Sequence, residues 1–379
     1  MADEGKQVLG ATRSPLITAV PGARILQVDE DGLTPVTWDD LRTVRDWRFV
    51  LDAPERFLRR VLRPVRSVSA ECGSSSCRDG PRHASSDTYG GPMVLAQIAG
   101  LAVRSWGDPA PEEPVVLALH GLTSTSAVWA DLAARLDVPV VAPDLPGRGS
   151  SVAATAGPGL PGLAREVVRT VDQLGLRRVV VVGHSMGAFL APLVVDGLGD
   201  RVLGTVLLDG GVPPERSMLL TPLVVRGIFG LQTRRLIRHW DDVDSFTAAA
   251  EGSAGANRPD LRDGLRAWSH AVLRPEGDGF RPNLDGRRLV ADAVDSLTRT
   301  PHLATLSTGP APVHLIAAAH GADDARPPFL SGNAIAAGSR VVPRLTWERV
   351  EANHATMLFD PAAAAAVWEL LRSSGRPGN

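Results

Sequence analysis

Residues 179–182 are four consecutive valines that run straight into Gly183-His184-Ser185-Met186-Gly187. Four β-branched apolar residues suit a parallel strand buried on both faces. The apolar stretch 188–195 that follows suits a packed helix. Joining the two through five residues requires a sharp turn, and small residues at 183 and 187 let strand and helix pass close to each other. On such a turn the Ser185 hydroxyl is lifted above the sheet edge, a place suited to a nucleophile. The Met186 N–H then lies at a helix N-terminus, where backbone donors meet developing negative charge. The pentapeptide alone is a weak signal, because 38 of the 379 residues are glycine. The strand before it and the helix after it carry the reading.

From Met93 onward the chain alternates. Residues 94–98 and 101–106 read as a hairpin about Gly100. Strands are expected at 115–119, 138–142, 179–184 and 203–208, with helices at 127–136 and 160–174. Between about 212 and 301 the rhythm breaks into helix-like pieces at 215–230, 233–240, 243–251, 260–273 and 286–298. Alternation then resumes: strand 313–318, helix 328–337, strand 344–350, helix 362–371. Strand–helix alternation implies a mostly parallel sheet flanked by helices, an α/β fold. The interruption implies a helical lid, residues 213–300, inserted into a core of 93–212 and 301–379.

Residues 1–92 differ. Residues 38–68 carry an apolar stripe that suits one or two Arg-rich amphipathic helices, and 38–66 is a candidate partner-binding helix, its plainer account being a solvated face. Residues 67–92, rich in Ser, Gly, Arg and Asp, read as a disordered linker. The segment reads as an added module, a regulatory tail or a start assigned too far upstream.

Composition narrows the classes. At 44% hydrophobic the chain can bury a core, and a net charge of −2 gives no electrostatic case for nucleic acid or an anionic membrane. The first thirty residues lack a signal-peptide apolar run, and no stretch is long enough to span a bilayer, so a cytoplasmic protein is expected. Cys72 and Cys77 have no second Cys/His pair at zinc spacing, although His83 is near, so no metal is expected. Without a dinucleotide fingerprint, no cofactor is expected either.

A serine hydroxyl needs a base, and the base needs an orienting acid. His354 lies between the last strand and the last helix, at the sheet edge where the Ser185 turn also falls. His320 is the rival, since its loop also ends a strand. His184 would point away from Ser185, His314 sits in a strand, and His239, His270 and His302 lie in or beside the lid. The acid is expected between serine and histidine in the chain, at another strand end. Asp323 is preferred, then Asp324. Asp209, which ends Val-Leu-Leu-Asp-Gly-Gly, is the remaining option, its plainer role being a capping carboxylate. Gly121 lets the backbone turn so that the Leu122 N–H joins that of Met186 as an oxyanion donor, with His120 structural.

In this order the motifs resemble the α/β-hydrolase superfamily over about residues 94–373. His120-Gly121 is similar to the family's oxyanion dipeptide, with Trp129 in the helix beyond. Residues 144–151, Asp-Leu-Pro-Gly-Arg-Gly-Ser-Ser, resemble its D-x-x-G-x-G-x-S loop, and 183–187 its nucleophile elbow. The acid loop, residues 318–323, is longer than the usual strand–Gly-x-x-Asp form. The resemblance implies hydrolysis of an ester, thioester, lactone or amide through an acyl-serine, and the leading expectation is a serine hydrolase cleaving a carboxylic ester, thioester or lactone of a small apolar substrate. Met218, Phe229, Trp240, Phe246 and Trp268 would line an apolar acyl pocket or form the lid's own core. Hydrolysis of a C–C bond and cofactor-free perhydrolysis are open to the same triad. A non-catalytic ligand-binding protein with this fold is the alternative of another class.

Overall fold

A computed structural model describes residues 25–29, 32–37, 39, 93–213, 221–251, 262–298, 302–321 and 327–373. The expected helices in 38–68 lie almost wholly outside these residues. The 67–92 linker, Cys72, Cys77, His83, Met218, Asp323 and Asp324 lie outside them altogether.

Contacts divide the chain into two units, the first comprising residues 1–74 with 217–219. Its described part is an antiparallel hairpin, β1 (Ile25–Asp29) against β2 (Gly32–Val36). The patchy periodicity of that segment did not indicate it.

The second unit is built on an eight-stranded sheet. Its elements in chain order are β3 (Met93–Ile98), β4 (Leu101–Trp106), β5 (Pro114–Leu119), α1 (Ala130–Ala134), β6 (Val140–Pro143), α2 (Gly159–Gln173), β7 (Arg178–His184), α3 (Met186–Leu198) and β8 (Val202–Leu208). An insertion follows: α4 (Pro222–Leu236), α5 (Val243–Glu251), α6 (Arg262–Val272), β9 (Leu273–Glu276), β10 (Gly279–Pro282) and α7 (Gly286–Thr298). The sheet is completed by β11 (Val313–Ala318), α8 (Gly332–Val341), β12 (Leu345–Val350) and α9 (Ala362–Ser373).

Strand order is β12-β11-β8-β7-β5-β6-β4-β3, parallel from β12 to β6 and antiparallel where β4 meets β6 and β3. The central strands show why both faces must be covered. Val115, Leu117, Val179, Val181, Leu207 and Leu315 face a core shared with α2 and α3. Their alternating neighbours Val116, Ala118, Val180, Val182, Val206 and Ile316 face a core shared with α1 and α9. A pleat of period two turns an unbroken apolar run into two buried faces.

β5 is followed by β6 on one side, while β7, β8, β11 and β12 extend from its other side. The chain therefore reverses direction of growth at β5. In such sheets the loops at the C-terminal strand ends splay apart at that point and leave a crevice. The loops after β5 and β7 carry His120-Gly121-Leu122 and Ser185.

The insertion differs from the all-helical expectation in two respects: one helix, α4, spans the gap between the expected pieces 215–230 and 233–240, and a hairpin is present. β9 and β10 form a hairpin turned at Gly277, which has φ 63°. Trp240 and Phe246 are buried in the insertion's own core with Val272, Leu284 and Leu289, and Trp268 packs against it. Phe229 is half-buried on α4. Among the described residues no helix is long and apolar enough to cross a membrane.

Candidate active site

The turn between β7 and α3 has the strain that its sequence implies. Ser185 sits at φ 53°, ψ −116°, a backbone region that side-chain-bearing residues rarely occupy. Surrounding contacts hold it there. The Ser185 N–H donates to Leu208 O at 2.9 Å, pinning the turn onto β8. A Cβ at Gly187 would overlap the Leu119 carbonyl, so helix and strand approach as closely as glycine allows. The Ser185 side chain is half-buried and reachable.

His354 arrives from the loop after β12. Its Nε2 lies 2.9 Å from Ser185 Oγ and its Nδ1 lies 2.6 Å from Asp209 Oδ2. The loop is held by its own neighbours. The Asn353 carboxamide oxygen accepts from the N–H groups of Ala355 and Thr356, and the His354 N–H donates to Gly321 O. The rival His320 instead meets Glu351 at 2.6 Å, and His314 meets Thr346 and Glu348.

Asp323 and Asp324, the first two candidates for the acid, lie outside the described residues, and the remaining candidate meets the base. The carboxylate that meets His354 Nδ1 is that of Asp209, at the end of β8. Asp209 is fully buried, and its second oxygen accepts from the Ala318 N–H at 3.2 Å. Its backbone lies at φ 44°, which Asp tolerates better than most residues. Because β8 is the immediate neighbour of β7, its end stands beside the elbow. The Gly210-Gly211 pair after it was the usable signal. A Cβ at Gly210 would lie 3.1 Å from the Ser185 Cα, so only glycine fits behind the serine.

The loop after β5 lies against the same serine. A Cβ at Gly121 would fall 3.1 Å from His184 Nδ1 and 3.4 Å from Ser185 Cβ. His120 orients this loop. Leu145 N–H donates to its Nε2 at 2.9 Å, which leaves the proton on Nδ1 to donate to Gly121 O at 2.8 Å. That carbonyl and the Leu122 N–H belong to one trans peptide, so fixing the first aims the second the opposite way. The Met186 N–H is at the first position of α3, where a helix offers no internal acceptor. Asp144 closes the neighbouring loop, accepting from the N–H groups of Ser126 and Ser150.

Sequence reasoning gave His184 no role beyond the turn. Its Nε2 lies 2.8 Å from His354 O, and since a carbonyl only accepts, Nε2 carries the proton. The elbow thus grips the backbone of the histidine that faces its serine, with the two rings 4.8 Å apart.

His120 and His184 are both buried. Burial pulls the His120 pKa down to about 4, with Asp144 opposing. Burial first, and then the His354 ring, pull His184 down to about 3. Both rings are neutral in the folded protein near neutrality, while in the unfolded chain they protonate near pH 6.5. Below pH 6.5 the unfolded chain therefore binds more protons. The stability these rings contribute is complete above that pH and is lost as pH falls towards their folded values. Each can account for up to ~1.4 kcal/mol per pH unit inside the window. Denaturant titrations are expected to show stability falling from pH 6.5 to about pH 5, with a shallower slope in His184→Gln. An identical slope in the variant would contradict this account.

A model described as the alpha/beta hydrolase family matches residues 115–367. The chain is 37% identical over 121 residues to Lipase LipV of Mycobacterium tuberculosis, covering 32% of this chain and 45% of that protein. The match therefore spans less than half the length of that lipase. A putative non-heme haloperoxidase of Mycobacterium phage D29 is 25% identical over 284 residues, covering 72% of this chain and 91% of that one. The crystal structure of E-2-(acetamidomethylene)succinate hydrolase superposes with a TM-score of 0.60 at 19% identity, over 74% of this chain and 100% of the other. At that identity the likeness concerns the fold alone.

Proposed function

The chain belongs to the alpha/beta hydrolase family, and from that membership we propose that it is a serine hydrolase acting on a carboxylic ester, thioester or lactone through an acyl-serine. The observation that carries this reading is the continuous line of contacts from Ser185 Oγ through both nitrogens of His354 to Asp209. His354 Nε2 takes the Ser185 proton as the oxygen attacks the substrate carbonyl. Asp209 keeps the other proton on Nδ1 and stabilises the imidazolium that forms. The Leu122 and Met186 N–H groups bind the tetrahedral oxyanion. His354 then returns its proton to the leaving oxygen or sulfur, and water repeats the sequence to release the acid. Apart from substrate and water, each step uses only groups of the chain, and no cofactor is invoked.

The insertion serves as a lid and sets the substrate. The Phe329 ring lies 5.2 Å from that of His354 and is 38% exposed, an apolar wall at the mouth of the site. Leu122 packs on the insertion's apolar core. Both favour neutral, apolar substrates of moderate size. A fluorophosphonate probe tests the chemistry directly. We expect one adduct, on Ser185, and loss of p-nitrophenyl ester turnover in step with labelling. A protein that turns over the ester while Ser185 stays unmodified would overturn the reading. One that neither reacts nor turns over would be a binding protein.

Perhydrolysis on the same three residues is a second reading, favoured by the haloperoxidase relative that aligns over most of its length. Peracid formation from acetate and hydrogen peroxide separates it from simple hydrolysis.

A further inference from the structure

Arg148 is fully buried, and the proposed mechanism does not use it. Its guanidinium spends its donors on four partners. Nε donates to Leu122 O at 3.0 Å, Nη1 to Pro146 O at 2.8 Å and to Asp292 at 2.5 Å, and Nη2 to Met186 Sδ at 3.3 Å. Leu122 and Met186 are the two residues whose N–H groups face the proposed oxyanion. Asp292 belongs to α7 of the insertion and is itself fully buried. One planar cation therefore touches both oxyanion residues and the insertion at once.

The surroundings strengthen this connection. The loop holding Arg148 is clasped by the insertion through Gly149 N–H to Asn283 O, Asn283 Nδ2 to Gly149 O and Asp285 N–H to Gly147 O. Arg288 also reaches Asp292. A second tie runs from the insertion to the loop after β5, where Trp268 Nε1 donates to Ser124 Oγ at 2.9 Å. Moving α7 away would strip a buried guanidinium of its counter-charge. A buried charge left without its partner is strongly destabilised, and the hold on Leu122 O and Met186 weakens with it.

We propose that Arg148 is a positioning residue that makes the oxyanion site depend on the docked insertion, holding Leu122 and Met186 in place only while Asp292 neutralises it. This inference rests on the serine-hydrolase reading above. It implies that a substrate which seats the insertion also completes the site that activates its carbonyl.

A purely structural ion pair would affect folding but leave each folded molecule fully active. Two variants separate the cases. Arg148→Lys keeps the charge for Asp292 but lacks the fork that also reaches Leu122 O. The double variant Arg148→Met/Asp292→Leu removes the buried pair together, the change that buried pairs tolerate best, while Arg288 loses Asp292 but keeps its bonds to Ala156 O and Gly159 O. Active sites are counted by end-point titration with a fluorophosphonate, and kcat is expressed per titrated site. We expect kcat per site to fall about 100-fold in both variants, with KM within about threefold of wild type, as for loss of an oxyanion donor. Affinity for a boronic acid, a tetrahedral mimic, should fall by a similar factor, while that for an unreactive substrate analogue holds. An active, labelled wild type matched within about twofold by both variants would overturn the Arg148 assignment alone. A wild type that is neither labelled nor active would overturn it together with the reading beneath it.

Discussion

Ser185→Ala is expected to lower turnover of a p-nitrophenyl ester by about 10⁶-fold and to abolish the fluorophosphonate adduct. The size follows from what remains. Without Oγ, His354 has no proton to take at 2.9 Å, and no acyl-enzyme forms. Oxyanion donors and substrate binding would still exceed the uncatalysed rate by about 10³–10⁴-fold, with water as the attacking group. Folding should be little affected, because the turn is held by backbone contacts such as Ser185 N–H to Leu208 O. The strain at φ 53° is borne equally by alanine. The measurement is steady-state turnover, with circular dichroism showing an intact fold. Activity above a tenth of wild type would mean that another group attacks, and the proposed mechanism would fail.

The elbow and the candidate base were legible because each rests on a short pattern or a single rule. An apolar run, two close-packed glycines and a helix specify the turn wherever it occurs. His354 followed from one rule, that parallel strands end on one side. The carboxylate that meets His354 was not legible for the same reason in reverse. Asp209 and Asp323 both lie between serine and histidine, and both follow sheet strands. Choosing needs the lateral distance between strand ends, which depends on β8 lying beside β7, and on the Nδ1 direction of a loop contributed 145 residues later. Alternation along the chain reports that a sheet exists, not which strands are neighbours.

The insertion shows the other limit. Its helices were visible from periodicity, but the β9–β10 hairpin was not, since its four-residue strands are too short to establish alternation. Trp240 and Phe246, candidates for an acyl pocket, went instead into the insertion's own core. There Phe246 meets Trp240 edge-on at 5.5 Å and stacks on Trp268 at 5.9 Å, large apolar contacts that hold a small layer together. Arg148 was visible only as one letter of a loop motif. Its partner lies 144 residues away, and a buried ion pair between elements leaves no periodic trace in either.

Asp209→Asn is expected to reduce kcat by about 10⁴-fold at neutral pH, with a much smaller change in KM. Asp209 acts through His354 and not on the substrate, so binding should be nearly preserved. The carboxylate only accepts, which keeps the proton on Nδ1 and leaves the Nε2 lone pair facing Ser185. A carboxamide can turn its NH₂ towards Nδ1, move the proton to Nε2 and disarm the base without displacing it. It also removes the negative charge that would stabilise the imidazolium, at a site where Asp209 is shielded completely from water. The carboxamide oxygen can still accept from the Ala318 N–H, so the end of β8 should remain folded. The matched control is Asp323→Asn, which should leave turnover near the wild-type level. Were Asp323→Asn to lose activity while Asp209→Asn kept it, Asp209 would be a cap on its strand and the acid would come from the loop after β11.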